Sequence, residues 1–268
     1  MAERTGIEWA DATWNPWMGC KKVSPGCKNC YMFRDMTFYG RDPNIVVKAS
    51  EASFRNPLKW AKNGKLKTGA RIFTCSWSDW FIDKADEWRE DAWRIIKLTP
   101  QFNYLILTKR PERIADHLPP DWGKGYKNVW LLVSAENQQT LEERLEFLLD
   151  IPAAIRGVSA EPLLGPITFW RYFPQGTCKR PVCTQYTRLN SKYENGIHWV
   201  ITGGESDKKS PRLTDPEWVR AIRDECIKAH VAFFHKQHGG TKKIDDAWGG
   251  RLLDGREWNE FPTVESNH

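Results

Sequence analysis

No stretch of the 268-residue chain approaches the roughly 18 successive apolar residues that a membrane-spanning helix requires, so such a helix is excluded. The first residues, Met1 to Gly6, hold no apolar signal core, and the expectation is a cytosolic chain. There is no internal repeat. There is also little imbalance of charge: 40 Lys and Arg stand against 34 Asp and Glu, a formal +6 with a pI of about 8.9. That excess permits a nucleic-acid partner without requiring one, because the two signs are mixed along the chain. Disulfide staples are not expected either, since the seven cysteines are odd in number and the chain is long enough to bury a sizeable core. A mean hydropathy of -0.62, 40% hydrophobic residues and 15 tryptophans spread throughout describe a globular protein. What composition leaves is a set of thiols to be explained.

Short apolar runs alternate with helical patterns. The runs cover 71–76, 103–108, 129–134, 155–159, 198–202 and 231–235, mostly rich in β-branched and aromatic residues and apolar on both faces. That is the character of strands in a buried parallel sheet. Leu141, Leu145, Leu148 and Leu149 make one face of a helix over 138–149. A second helix is expected over 86–97 with Trp88, Ala92, Ile95 and Ile96 inward. A third opens at Thr214-Asp215-Pro216-Glu217, a capping-box spacing, and carries Val219, Ile222, Cys226 and Ala229. Strand then helix, repeated about six times, predicts an α/β fold, a partial (βα)6-type barrel, with a doubly wound parallel sheet as the alternative. The Pro- and Cys-containing stretch 166–197 lacks periodicity and reads as an irregular insertion in a single domain over 1–268.

Cys20, Cys27 and Cys30 form a C-x6-C-x2-C set on a loop bent by Ser24-Pro25-Gly26. By spacing alone three readings stay open: three ligands of an iron–sulfur cluster with one iron free, a zinc loop awaiting a fourth ligand, or unrelated thiols. The strand-like runs end in polar groups: Ser76-Trp77-Ser78-Asp79, Thr108-Lys109-Arg110, Ser134-Ala135-Glu136, Ser159-Ala160-Glu161, Gly203-Gly204-Glu205 and His235-Lys236-Gln237-His238. In a parallel sheet such ends lie on one side, so a shared site is expected, although loops are polar in any protein. Lys109 and Arg110 suit an anionic substrate or a cofactor carboxylate. His235 and His238 read equally as proton carriers or as structural residues.

Several segments carry a family resemblance: Trp14-Asn15-Pro16-Trp17-Met18-Gly19-Cys20, Cys27-Lys28-Asn29-Cys30-Tyr31, Leu107-Thr108-Lys109-Arg110-Pro111-Glu112-Arg113, Val133-Ser134-Ala135-Glu136-Asn137-Gln138, Val158 to Pro166, Ile201 to Ser206, and Lys236 to Gly240. Over nearly its whole length the chain resembles a phage- and prophage-associated, radical-SAM-like family marked by a three-cysteine motif. The resemblance implies a partial βα barrel, a [4Fe–4S] cluster held by Cys20, Cys27 and Cys30, and S-adenosyl-L-methionine. One-electron reduction of that pair would give a 5′-deoxyadenosyl radical that takes hydrogen from a substrate, and it calls for an external electron donor. Tyr31, Ser78, Asp79, Ser134 and Glu136 are the implied cofactor contacts. Lys109, Glu161, Glu205 and Lys236 are the candidate catalytic groups. Three features depart from the wider superfamily: the first cysteine gap is six rather than three, Asn29 replaces a common aromatic, and the Gly-Gly-Glu stretch comes late in the chain. Glu205 is therefore placed on the substrate side.

Cys178 and Cys183 read as half a metal site or, more simply, as incidental thiols; Cys75 and Cys226 read as small buried hydrophobes. In 166–197, Arg171, Lys179, Arg180, Arg188 and Lys192 alternate with Tyr172, Phe173, Tyr186 and Tyr193. That mixture suits a nucleic-acid base or, equally, an ordinary solvated loop. Two functions thus compete: a radical S-adenosylmethionine enzyme with a nucleic-acid base as its expected substrate, and a non-catalytic, zinc-stabilised nucleic-acid-binding phage protein.

Overall fold

The structure, a computed structural model, describes residues 5–174 and 196–263. Cys178, Cys183 and most of the basic insertion lie outside those residues. The chain's contacts fall into two compact units, one over 1–133 with 151–154, the other over 134–150 with 155–268.

The first unit carries β1 (Ala12–Trp14), β2 (Trp17–Met18), β3 (Val47–Lys48), β4 (Arg71–Thr74), β5 (Asn103–Thr108) and β6 (Val129–Ser134), with α1 (Tyr31–Phe38), α2 (Glu51–Phe54), α3 (Asn56–Asn63) and α4 (Asp86–Leu98). Strands β1, β4, β5 and β6 lie side by side in that order, all parallel. β2 and β3 form a separate antiparallel pair. The second unit carries α5 (Gln138–Leu149), β7 (Ile155–Ala160), β8 (Trp199–Gly203), α6 (Pro216–Ala229), β9 (Ala232–Gln237), and the small pair β10 (Lys243–Ile244) and β11 (Ala247–Trp248). Here β7, β8 and β9 are parallel, again in chain order. Neither group of strands reverses its order, so the winding is that of a βα barrel and not of a doubly wound sheet with a switch point. The α/β class is the expected one.

Tryptophan builds the first core. Trp17 and Trp14 each pack on Trp80 (5.1 and 5.9 Å between rings), Trp80 on Trp93 (5.1 Å), and Trp93 on Trp122 (5.6 Å). Four of these five indole N–H groups are spent on carbonyls: Trp14 donates to Phe54, Trp17 to Asp79, Trp93 to His117 and Trp122 to Pro152, while that of Trp80, at the centre, is buried without an acceptor. A partner for the one polar atom lowers the cost of burying so large a ring; at Trp80 the packing of three neighbouring indoles carries that cost instead. In the second unit Leu141, Leu145 and Leu148 of α5 and Val219, Ile222 and Cys226 of α6 are buried, as the periodicity predicts. Each such aliphatic side chain contributes about 1.5–3 kcal/mol.

Three sequence expectations shift. On α4 the inward residues are Trp93 and Arg89 with Ala92, Ile95 and Ile96, while Trp88 is only half-buried. Arg89 is buried because its guanidinium donates to the Trp80 and Ile82 carbonyls and pairs with Asp86. β4 stops at Thr74 and not at 76, since Cys75 turns into the left-handed region (φ 55°). At α6 the cap is Asp215, whose carboxylate accepts from the Glu217 amide; the Thr214 hydroxyl donates instead to the Leu163 carbonyl. β1 was not expected at all.

Candidate functional site

In the first unit the Trp14–Cys20 motif is a set of anchors for the cysteine loop. The Asn15 side chain accepts from the Trp77 amide (2.9 Å) and donates to the Ser76 hydroxyl (3.0 Å), fixing the turn after β4. Gly19 sits at φ 96°, and a Cβ there would lie 2.2 Å from the Ile45 carbonyl oxygen, so only glycine fits. Its amide donates to the Trp77 carbonyl, its carbonyl accepts from the Ser78 hydroxyl (2.6 Å), and the Cys20 amide donates to the Pro43 carbonyl (2.8 Å). Pro25–Cys27 then makes one 3-10 turn, and Cys30 is the cap residue of α1. Tyr31, the first residue of α1, donates its hydroxyl to the Ser76 carbonyl (2.5 Å).

The end of β5 closes on this loop. Arg110, buried, reaches the Lys21 carbonyl at 2.7 Å and the Cys20 Sγ at 3.9 Å. It also pairs with Asp79 at 3.1 Å. The Asp79 carboxylate accepts from the Thr108 hydroxyl (2.7 Å) and the Lys109 amide (2.8 Å), so it joins the ends of β4 and β5. The thiols respond in opposite ways. Burial, followed by the Asp79 charge, pushes Cys20 up to about 11. For Cys27 burial works in the same direction, but the Lys109 charge and hydrogen bonds from the Val23–Ser24 turn outweigh it and lower the thiol. Cys75 and Cys226 are buried and raised well above the usual thiol range by burial, as inert hydrophobes should be.

In the second unit three successive strand ends each present a carboxylate, and each carboxylate has its own cation. Glu136, after β6, is fully buried and accepts from Arg144 of α5 at 3.0 Å; the same Nη1 donates to the Ser134 carbonyl at 2.6 Å. Glu205, after β8, is buried and held by Arg212 through its guanidinium and its backbone amide. Glu161, after β7, pairs with Lys236 of β9, and this pair is the more open one, at 19% and 18% side-chain exposure. The two glycines before Glu205 explain themselves by contact. A Cβ on Gly203 would lie 3.0 Å from the Glu161 carboxyl carbon, and one on Gly204 would lie 1.9 Å from the His238 carbonyl oxygen. His235 is buried, contacts the Thr202 hydroxyl through Nδ1 (3.0 Å), and is lowered to about 3 by burial and by the His238 and Arg251 charges, so it stays neutral.

The residues singled out in the sequence lie at strand ends and on the cysteine loop, and the bonds that hold them are not readable from the sequence. Two residues that hold these groups and that the sequence reading does not single out are Asn15, bonded to the turn after β4, and Arg144, paired with Glu136. Their signals are a polar side chain inside a Trp-rich motif and an arginine on the inward face of a helix. Among the described residues no three His, Cys, Asp or Glu side chains are grouped so as to hold one metal ion. A cluster takes each thiolate on a separate iron, so its three donors need not converge on one point as zinc ligands must. Three cysteines on one anchored loop, one thiol acidified and two cations beside them, fit that kind of group.

A family model described as "Protein of unknown function (DUF5131)" matches residues 4–262. No curated protein matches the chain. Among solved structures, a spore photoproduct lyase complexed with dinucleoside spore photoproduct is similar at a TM-score of 0.41 and 13% identity, over 79% of this chain and 59% of that one. A doubly substituted spore photoproduct lyase with bound AdoMet and dinucleoside spore photoproduct gives 0.45 and 14%, over 81% and 61%. The chain spans about three-fifths of the length of these neighbours.

Proposed function

The chain belongs to the DUF5131 family, and we propose that it works as a radical S-adenosylmethionine enzyme. The observation that carries the reading is the cysteine loop: Cys20, Cys27 and Cys30 on one anchored turn, with Lys109 and Arg110 from the end of β5 beside the sulfurs. Cys20, Cys27 and Cys30 would hold a [4Fe–4S] cluster, and with S-adenosyl-L-methionine that group supplies a carbon radical able to remove hydrogen from an unactivated position. The chain's own part is to hold and shield. Arg110 and Asp79 fix the start of the loop, Lys109 adds positive charge that favours thiolate at Cys27, and Tyr31 ties α1 to the turn after β4. Ser78, whose hydroxyl already donates to Gly19, retains acceptor capacity for a cofactor donor.

Ser134 and Glu136 enter the proposal as cofactor contacts, and Lys109, Glu161, Glu205 and Lys236 as groups on the substrate side. Of the carboxylates, Glu161 is the most available, because Glu136 and Glu205 are buried in ion pairs with arginine. The proposed substrate class is a nucleic-acid base, supported by alternating basic and aromatic residues in 166–197. Within the described part, Arg171 and Trp170 are exposed, and Lys228 lies 5.9 Å over the Trp170 ring.

The test is reconstitution without oxygen. Protein supplied with iron and sulfide should turn brown, hold about four irons per chain and cleave S-adenosylmethionine when reduced. Colourless protein with one tightly held zinc would replace this reading by the zinc-stabilised nucleic-acid-binding one. A Cys27→Ala variant with unchanged iron content would remove the ligand assignment.

A further inference from the structure

We infer that the face built by residues 20–48 around the cysteine loop docks an acidic, one-electron-carrying protein. The inference rests on the proposed function, because it takes the loop to be a redox centre.

The face is apolar where it should be wet. Phe38 is 82% exposed, Tyr39 66%, Ile45 58%, Val23 48% and Val47 41%. They form one neighbourhood with the cysteines. β2 and β3 pair Met18 with Val47, and the Cys20 amide bonds the Pro43 carbonyl, so Ile45 and Val47 lie beside the start of the loop. At the other end, α1 begins directly after Cys30 and is eight residues long, about 12 Å. It turns its inner face, Met32 and Met36, into the core, and the Arg41 amide folds the Phe38–Tyr39 turn back onto the Met36 carbonyl. Phe38 and Tyr39 pack on each other (5.4 Å) and remain exposed.

The face is also basic. Between Cys20 and Lys48 there are six Lys or Arg residues against two acidic ones, Asp35 and Asp42, a local +4 in a chain whose total is +6. Exposed apolar residues on a segment with a net positive charge suit a transient protein interface, with electrostatic attraction raising the encounter rate. Three of the five apolar residues are Val or Ile, which offer no ring for a base to stack on, so nucleic acid is the poorer fit. The sign selects an acidic partner. The position beside the cysteines selects one that delivers electrons, since a centre reduced one electron at a time needs a carrier brought close to it. In that step the carrier's reduced flavin or iron–sulfur group loses one electron and the loop's redox centre gains it; no bond is made or broken and no proton moves.

The experiment uses the full chain with its cluster reconstituted, and two probes, an acidic flavodoxin and an acidic ferredoxin. Affinity is measured by anaerobic calorimetry for the wild type, for Phe38→Ser with Ile45→Ser, and for Lys28→Glu with Arg41→Glu. At least one probe should bind the wild type, weaken as salt rises, and lose about tenfold or more in affinity with each variant pair. S-adenosylmethionine cleavage driven by dithionite, which needs no docking face, should stay within about twofold in both variants. Unchanged affinity in both variants, no binding of either probe at low salt, or displacement of the probe by a single-stranded oligonucleotide would overturn the inference while leaving the proposed function standing. Absence of both cluster and dithionite-driven cleavage in the wild type would instead sink the proposed function.

Discussion

The Asp79 carboxylate and the Arg110 guanidinium form a buried ion pair at 3.1 Å, with side chains 7% and 9% exposed. Each partner has a second duty: Asp79 joins β4 to β5, and Arg110 reaches the Cys20 sulfur and the Lys21 carbonyl. The pair thus connects strand ends to the cysteine loop.

Removing one member should be costly. Asp79→Asn would leave Arg110 buried and partly uncompensated, a loss of about 3–5 kcal/mol in urea unfolding. The same variant should bind less iron on reconstitution. Full stability together with wild-type iron content would show that the pair is dispensable.

The two shifted thiols should separate in a pH series on metal-free protein. Cys20 is raised to about 11 by burial and by Asp79, whereas Cys27 is lowered through Lys109. A small alkylating agent followed by peptide mapping should label Cys27 with a midpoint below that of a free thiol and Cys20 well above it. Lys109→Met should move the Cys27 midpoint upward. A raised folded value means that Cys20 contributes stability present below the unfolded thiol value and lost as pH rises toward about 11.

Two neutral histidines give the opposite dependence at the acid end. Burial, assisted by nearby positive charge, lowers His198 to about 4 and His235 to about 3. Because the unfolded chain binds these protons more readily, stability should be full above about 6.5 and fall as pH drops toward 4, by up to about 1.4 kcal/mol per pH unit for each group. Urea unfolding across that range should show a shallower slope for His235→Gln. An unchanged slope would mean that His235 is not protonated on unfolding.

The two adjacent glycines at the end of β8, Gly203 within it and Gly204 just after it, should differ in tolerance. Gly204→Ala drives a methyl group against the His238 backbone carbonyl at 1.9 Å, while Gly203→Ala meets the Glu161 side chain at 3.0 Å, which can shift. Thermal unfolding should therefore rank Gly204→Ala as severe, a loss of several kcal/mol or no folded protein, and Gly203→Ala as mild. Equal effects would contradict the packing described for the strand end.

Much of this was legible in the residues. The helix over 138–149 and the strands at 103–108 and 129–134 coincide with their predicted bounds, because long periodic segments bury a continuous face. β1 escaped notice because three residues, Ala12-Thr13-Trp14, carry no measurable alternation, and they are a strand only by pairing with β4. Trp88 shares the i, i+4 spacing of Ala92 and Ile95–Ile96 and so reads as inward; the buried Arg89, satisfied by two carbonyls, rotates the face toward Trp93. Among the candidate site groups, position along the chain identified the strand-end acids. Their partners Arg144, Arg212 and Lys236 come from an inward helix face, a following loop and a strand two places on, and no local pattern encodes such pairings.

Gly19 has a consequence for how this protein can vary. Its backbone lies so close to Ile45 that no side chain intervenes, and the loop's first cysteine is placed by main-chain bonds to Trp77 and Pro43. The residues between Cys20 and Cys30 are therefore relieved of holding that entry point. A library that randomises Lys21, Lys22, Lys28 and Asn29 should return many folded chains, and one that randomises Gly19 should return glycine.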